Sequence, residues 1–430
     1  MAIRVGVLGC GIVGGGVVKL IREHHESLAA RVGGTVEVAR VLERDLSRTR
    51  AAGVDEKIVT TEPAQVLDDP SIDVVVEVMG GIEPALGFVE RAIRNKKSVV
   101  TANKMLLAAH GARLFALARE CGVDLAFEAS VGGGIPIIRV LRDALAGDRV
   151  EALSGIVNGT CNFMLTRMCN DGLSFDEALR EAQAKGFAEA EPSLDVDGHD
   201  AAHKLVVLAT LAFGAKLDGF HVFTEGIRAI EPIDHRFADR WGFRIKHLAL
   251  AADRKGALEL RVHPALVSTA STLASVGGVL NAIAIQGESL GPVLLSGRGA
   301  GERPTAVSVV GDIADVARAK VLGVPGMSLR GLQLAERAVL PIDDVVTRYY
   351  LRFQVFDRPG VLARITGALG DARVSIEQMV QEGRGDESGA PVQVVMLTHA
   401  AKERDVRAAL QFLGGLDFVA KPVCLIRVHD

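Results

Sequence analysis

Between Gly186 and Lys204 the chain reads GFAEAEPSLDVDGHDAAHK. Glu189, Glu191, Asp195, Asp197 and Asp200 crowd this stretch, and Lys204 closes it. Like charges repel, so folding alone does not ask for such crowding. Clustered carboxylates suit the grip on an ammonium group, and a lysine within reach suits the movement of a proton. Asp200 and Lys204 are four residues apart, which puts them on one face of a helix. A free lysine titrates near ~10.4. Beside Asp200 it stays charged more readily, which favours an acid role or a relay through water over a base. The plainer alternative is a surface ion pair between helix neighbours. His199 and His203 flank the same turn; such histidines more often cap or pack, and neither is assigned a role.

Two glycine-rich segments offer further chemistry. Gly9-Cys10-Gly11-Ile12-Val13-Gly14 fits G-x-G-x-x-G between an apolar run and a helical pattern. There the glycines allow a tight turn and a close backbone approach, and the helix start attracts a pyrophosphate. The second strand ends Leu42-Glu43-Arg44-Asp45. A carboxylate here suits ribose hydroxyls, whereas Arg44, with Arg48 after it, suits a 2′-phosphate, so the stretch leans towards NADP with NAD open. Thr101-Ala102-Asn103-Lys104 follows another strand, so Lys104 stands where cofactor or substrate binds. Glu128-Ala-Ser-Val131-Gly132-Gly133-Gly134-Ile135-Pro136 reverses the chain. Its carbonyls can converge on a hard cation, although composition alone favours a hinge. The second glycine segment runs from Ser296 through Gly301 to Ala306 before a helix with Pro304 near its start. It reads as a closing or domain-crossing loop.

The elements that must position these residues are legible in the pattern. Runs at Ile3–Leu8, Val36–Leu42, Ile72–Val78, Ser98–Thr101 and Val123–Phe127 alternate with helices at 12–21, 85–94 and 105–120, the rhythm of a doubly wound α/β sheet. A mixed α+β region follows, with a strand at 150–157, helices near 162–168, 175–185 and 200–213, and strand-like runs between 248 and 284. A helix over 304–317 can pack back onto the first domain. From Tyr349 the order is βαββαβ, a ferredoxin-like arrangement. The expected limits are 1–135 with 302–320 packing back, then 136–301, a linker over 321–346, and 347–430.

Composition bounds the rest. The 430 residues suit two or three domains. Hydrophobic residues make up 49% and charged residues 24%, a soluble balance. A net charge of −4 favours neither nucleic acid nor an anionic membrane. No apolar run reaches the ~20 residues of a membrane span, and the start does not read as a signal peptide. Five scattered cysteines without zinc spacing read as reduced thiols in the cytoplasm.

Taken together, GCGIVG, TANK, EASVGGGIPII, GIVNGTCNFML, AQAKGFAEAEPSLDVDGHDAAHKL, NAI and GRGAGERPTA make the chain resemble homoserine dehydrogenase, in its long monofunctional bacterial form with a C-terminal ACT domain. These matches run in order over residues 1–320. The family often reads A-E-x-D-P where this chain has Glu191 in place of the aspartate. The resemblance implies a Rossmann-type nucleotide-binding domain, an α+β catalytic and dimerisation domain, and a ferredoxin-like ACT domain. It implies reversible NAD(P)-dependent oxidation of L-homoserine to L-aspartate 4-semialdehyde, in threonine, methionine and isoleucine synthesis. It suggests Lys204 as proton donor and acceptor, with Lys104 near the same substrate oxygen. Glu189 would hold the ammonium, Asp200 would bind substrate and orient the lysine, and Asp195 would be a further pocket carboxylate. The cofactor would lie on Gly9, Gly11, Ile12, Val13, Gly14, Arg44, Lys104, Gly186 and Gly301. A structural sodium ion would sit on the carbonyls of Glu128, Val131, Gly133 and Ile135, against the hinge reading. The tail around Val355-Phe-Asp357-Arg358-Pro359-Gly360 resembles an ACT ligand loop. Asp357, Gly360 and Gln378 are its candidate effector contacts, threonine the expected effector, and a homodimer or homotetramer the expected assembly. A purely structural pairing domain is the alternative. Two rival functions stand against it: a sensor that kept the folds and lost the chemistry, which intact Lys104, Glu189, Asp200 and Lys204 argue against, and an aspartate-semialdehyde dehydrogenase, which needs a cysteine nucleophile that no cysteine here is convincingly set to be, Cys161 being the one for a control mutation.

Overall fold

The apolar runs of the first third become strands buried on both faces. β1 (Ala2–Leu8), β2 (Thr35–Leu42), β3 (Val59–Thr60), β4 (Val74–Glu77), β5 (Ser98–Thr101) and β6 (Leu125–Ala126) form a parallel sheet in the order β3-β2-β1-β4-β5-β6. Every residue of β4 and β5 is buried, which is why these stretches read as unbroken apolar runs rather than alternating ones. This is the Rossmann order, in which the chain reverses direction between β1 and β4 and opens a crevice at their carboxyl ends. The computed structural model describes all residues except 219–220, 255, 384–389 and 430.

The described chain divides into two compact units. The first comprises Met1–Leu153, His203–Val222 and Asn281–Arg337. Within it the helix Glu302–Val321 lies against the helix Ile12–Glu23. The approach is close: a Cβ on Gly16 would stand 2.9 Å from Glu302 Cγ and 3.1 Å from Ala306 Cβ. Lys19 donates to Glu302 at 2.8 Å and Arg303 to Glu23 at 2.7 Å. Ile3, Val17, Val76, Val309 and Ile313 share one core.

The second unit comprises Ser154–Ala202, Phe223–Leu280 and Ala338–Asp430. Strands Phe243–Arg254 and Ala257–Ser268 pair antiparallel along twelve residues each. The strand Cys424–His429 pairs parallel with Ala257–Ser268, and Tyr349–Phe356, Pro391–Thr398 and Ile376–Glu382 follow antiparallel. With the helices Val361–Asp371 and Glu403–Gly414, the last four strands complete the expected βαββαβ order. The final strand begins only at Cys424, because Pro422 lacks the N–H that a ladder needs.

Two buried ion clusters fasten the C-terminal strands within this unit. Asp234, from the helix Pro232–Arg240, accepts hydrogen bonds from Tyr350 Oη and Arg352 Nε, each at 2.7 Å. Arg427 is wholly buried and donates to Glu225 at 2.6 Å and to Glu403. Each buried arginine is thus paired and hydrogen-bonded, the condition on which burial of a charge depends.

Candidate active site

At the carboxyl end of β1 the backbone leaves room for glycine alone. Gly9 has φ +95°, a conformation side chains rarely adopt. A Cβ on Gly14 would lie 2.0 Å from the carbonyl oxygen of Gly9. Gly11 caps the following helix, and Ile12 at its start is exposed, with Val13 half-buried. Unpaired helix N–H groups and a side-chain-free loop form the cradle a pyrophosphate needs, so these residues fit a dinucleotide. The carboxylate of Glu43 turns inward: it accepts the Cys10 N–H at 2.8 Å and the N–H groups of Arg44 and Asp45 at 2.8 and 3.0 Å. Asp45 caps the next helix through Ser47. Both carboxylates at this strand end therefore serve the backbone. The exposed Arg44 lies beside them, and Arg48 Nη1 comes within 4.0 Å of a Cβ built on Gly11.

The position of Lys104 is set by a residue that sequence reasoning passed over. Glu77, the last residue of β4, is fully buried. Its carboxylate accepts the Thr101 hydroxyl at 2.6 Å and the Met79 N–H at 2.9 Å, and burial pushes its pKa up. Asn103 donates from Nδ2 to the Gly81 carbonyl at 2.6 Å, while its Oδ1 accepts the Leu106 N–H and caps the helix Lys104–Cys121. Glu77 and Asn103 thus tie the ends of β4 and β5 together and fix the turn from which Lys104 starts. A carboxylate closing a buried strand was the available signal.

The reversal after β6 and the second glycine segment pack together. A Cβ on Gly133 would lie 2.5 Å from the Gly299 carbonyl oxygen, and Gly134 N–H donates to the Arg298 carbonyl at 3.0 Å. The Gly133 carbonyl accepts the Ser308 hydroxyl at 2.6 Å and the Ile135 carbonyl the Ile137 N–H at 2.8 Å. A carbonyl oxygen keeps a second lone pair beyond one hydrogen bond, and an all-oxygen donor set suits a hard cation. Val131 and Glu128 lie in the same buried turn. Burial, with Asp312 nearby, pushes the Glu128 carboxyl up to about 7, and its oxygens accept the N–H groups of Ile138 and Arg139. Gly301, with φ +119°, caps the helix Glu302–Val321. Among the described residues no group of three or more His, Cys, Asp or Glu could hold a metal ion.

In the acidic stretch the carboxylates divide by partner. Asp195 lies on the short helix Ser193–Val196, and Asp200 is buried at the start of the helix His199–Phe213. Asn158 Nδ2 donates to both, at 2.7 Å to Asp195 and 2.9 Å to Asp200. Lys204 follows Asp200 one turn along the same helix. Glu189 is exposed, and its carbonyl accepts Gln183 Nε2 at 3.1 Å. Gly186 is exposed with φ +72°. Glu191 accepts the Ser193 N–H at 3.1 Å, and Asp197 pairs with Arg228, so both shape the loop. Cys161 is fully buried, with Sγ 3.2 Å from the Asp195 carbonyl oxygen.

Comparison with known proteins decides the family. A profile described as homoserine dehydrogenase matches residues 136–314, and one described as its NAD-binding domain matches residues 9–128. The chain is 42% identical to a homoserine dehydrogenase of Pseudomonas aeruginosa, over 100% of this chain and 99% of that protein. The chain belongs to the homoserine dehydrogenase family. It is an oxidoreductase acting on a CH–OH group, with an NAD(P)-binding Rossmann domain. It is similar in structure to a homoserine dehydrogenase from Thiobacillus denitrificans (44% identity, TM-score 0.93, covering 100% and 99% of the two chains). A hyperthermophilic archaeal homoserine dehydrogenase solved in complex with NADPH is 28% identical, with TM-score 0.63 over 74% of this chain and 98% of that one.

An ACT profile matches residues 349–415 of this homoserine dehydrogenase. Asp357 is exposed in the turn after the strand Tyr349–Phe356, and Gly360, with φ +88°, caps the helix Val361–Asp371. Gln378 is exposed on Ile376–Glu382, the last strand of the run, which pairs with Pro391–Thr398. No helix among the described residues is long and apolar enough to cross a membrane.

Proposed function

We propose that this enzyme interconverts L-homoserine and L-aspartate 4-semialdehyde with Lys204 as proton donor and acceptor at the substrate oxygen. The observation that carries the assignment is Asp200 one turn before Lys204 on the helix His199–Phe213, with Asp195 and Asp200 joined through one amide. Carboxylates at Glu189, Asp195 and Asp200 meet the substrate ammonium. A cationic lysine offsets the negative charge that develops on the oxygen during reduction, and Lys104 stands near the same oxygen. When bound, the nicotinamide supplies or takes up the hydride. Gly9, Gly11, Ile12, Val13, Gly14, Gly186 and Gly301 receive the dinucleotide.

NADP is the preferred cofactor in this reading. Glu43 and Asp45 are occupied by backbone N–H groups, whereas Arg44 carries the charge and fork that a 2′-phosphate asks for. A sodium ion on the carbonyls of Glu128, Val131, Gly133 and Ile135 steadies the reversal after β6. Residues 1–135 with 302–320 form the nucleotide-binding domain, 136–301 the catalytic domain, 321–346 a linker and 347–430 the ACT domain. Threonine binds the ACT loop through Asp357, the amides near Gly360 and Gln378, and lowers activity in a cytoplasmic homodimer or homotetramer. Steady-state rates with NADH and NADPH, each with and without threonine, test these assignments together. NADPH should give the higher kcat/KM and threonine should inhibit. Equal use of both nucleotides, or indifference to threonine, would contradict the corresponding part.

A further inference from the structure

Asn158 stands in the GIVNGTCNFML motif, where sequence reasoning gave it no role. It is 4% exposed and precedes the helix Gly159–Asp171. Its Oδ1 accepts the Cys161 N–H at 2.8 Å and so caps that helix. The cap fixes the orientation of the amide, because the nitrogen must then face the other way. There Nδ2 lies 2.7 Å from Asp195 Oδ1 and 2.9 Å from Asp200 Oδ2. A carboxamide nitrogen has two hydrogens, so each carboxylate receives one. A flipped amide would present its oxygen to two carboxylates and lose the cap as well. One neutral side chain thus couples three helices: its own, the short helix bearing Asp195 and the helix bearing Asp200. The Thr160 hydroxyl is 2.7 Å from the Phe187 carbonyl oxygen and 3.3 Å from Asp195 Oδ2. His247, charge-coupled to Asp200, is buried and held below its ordinary pKa by desolvation. Lys204 lies one turn further along the Asp200 helix.

We infer that Asn158 is a positioning residue for the substrate: by donating to Asp195 and Asp200 together, it holds two like-charged carboxylates at a fixed spacing as a receptor for the ammonium group. This rests on the assignment of those aspartates to the substrate. Hydrogen bonds to charged groups are the strong ones, and Asn158 gives one to each carboxylate.

The test separates this role from helix capping. Serine and aspartate are both good N-caps, but Asn158→Ser lacks the paired donors and Asn158→Asp adds a third negative charge. Both full-length variants, with Asp200→Asn beside them, are assayed for kcat, for KM towards homoserine and towards NADP, and for melting temperature. Asn158→Ser should raise KM for homoserine about tenfold or more, the scale of a lost hydrogen bond to a charged group. KM for NADP should stay within about twofold and the melting temperature close to that of the parent. Asn158→Asp should be the more damaging for homoserine. A parental KM for homoserine in Asn158→Ser, or a fall in kcat and melting temperature with KM unchanged, would overturn the inference. If Asp200→Asn impairs homoserine use and Asn158→Ser does not, the inference alone fails. If Asp200→Asn is itself silent, the substrate assignment fails and the inference with it.

Discussion

Removing Asp234 should loosen the fastening between the ACT strands and the helix Pro232–Arg240. Asp234 is wholly buried and accepts hydrogen bonds from Arg352 Nε at 2.7 Å and Nη2 at 3.1 Å, Tyr350 Oη at 2.7 Å, the Glu231 N–H at 2.8 Å and, more weakly, Cys424 Sγ at 3.9 Å. In Asp234→Ala the Arg352 guanidinium, 3% exposed, keeps Glu231 at 3.3 Å and the Ala229 carbonyl at 3.3 Å. Orphaning one member of a buried pair costs ~3–5 kcal/mol. Glu231 is half-exposed, so its residual pairing returns at most about 1 kcal/mol. Loss of the capping contact to the Glu231 N–H adds about 1 kcal/mol. A total of about 3–5 kcal/mol is expected, since Glu231 offsets roughly what the lost cap adds. The chain has one tryptophan, Trp241, and its ring centroid lies 6.0 Å from that of Tyr350, so its fluorescence reports on this region. Urea titration followed by that signal gives the change. The double variant Asp234→Leu, Arg352→Met should recover at least half of the loss, because apolar replacement of both partners is often near neutral. A loss below about 1 kcal/mol in Asp234→Ala, the scale of an ordinary exposed pair, would refute the reasoning.

Three further outcomes can be measured. Arg44→Ala should raise KM for NADPH about tenfold and leave KM for NADH unchanged, since only the 2′-phosphate contact is lost; parallel changes with both nucleotides would contradict the assignment. Gly14→Ala drives a Cβ to 2.0 Å from the Gly9 carbonyl, so kcat/KM should fall about a hundredfold, the scale of a misplaced reactant; near-parental kinetics would contradict the cradle. His235 is 4% exposed, and desolvation with the nearby Lys246 and Arg244 lowers its pKa from 6.5 to about 4. The unfolded chain binds its proton first, so the contribution of neutral His235 is present above pH 6.5 and is lost as pH falls towards 4. His235→Leu should flatten that loss by up to about 3 kcal/mol in the unfolding free energy, measured by urea titrations across the window; an unchanged slope would contradict it.

The sequence was most legible where one residue type does one job. Buried strands such as β4 and β5 read as apolar runs, and glycines at 9, 11 and 14 announced a turn that admits no side chain. Short or polar elements were missed: β3 is two residues long, and the helix Leu46–Ala51 carries a single buried residue. The pair Phe243–Arg254 and Ala257–Ser268 is longer than its apolar runs suggested, because Lys246, His247, Glu259 and Arg261 are buried within it. Such residues read as strand ends until their partners are known. The parallel pairing of Cys424–His429 with Ala257–Ser268 joins segments some 160 residues apart, and no local pattern encodes it. In the site, charged residues were visible by type, whereas Glu77 and Asn158 act through contacts that only the fold brings together.

The role of Lys204 is tested most directly by the reduction of L-aspartate 4-semialdehyde with NADPH, comparing the parent enzyme with Lys204→Ala. The expected result is robust turnover by the parent and a kcat lowered about a hundredfold or more in the variant, the scale of a lost proton-transfer group, with KM for NADPH unchanged. A variant that turns over at nearly the parental rate would contradict the assignment of the proton to Lys204.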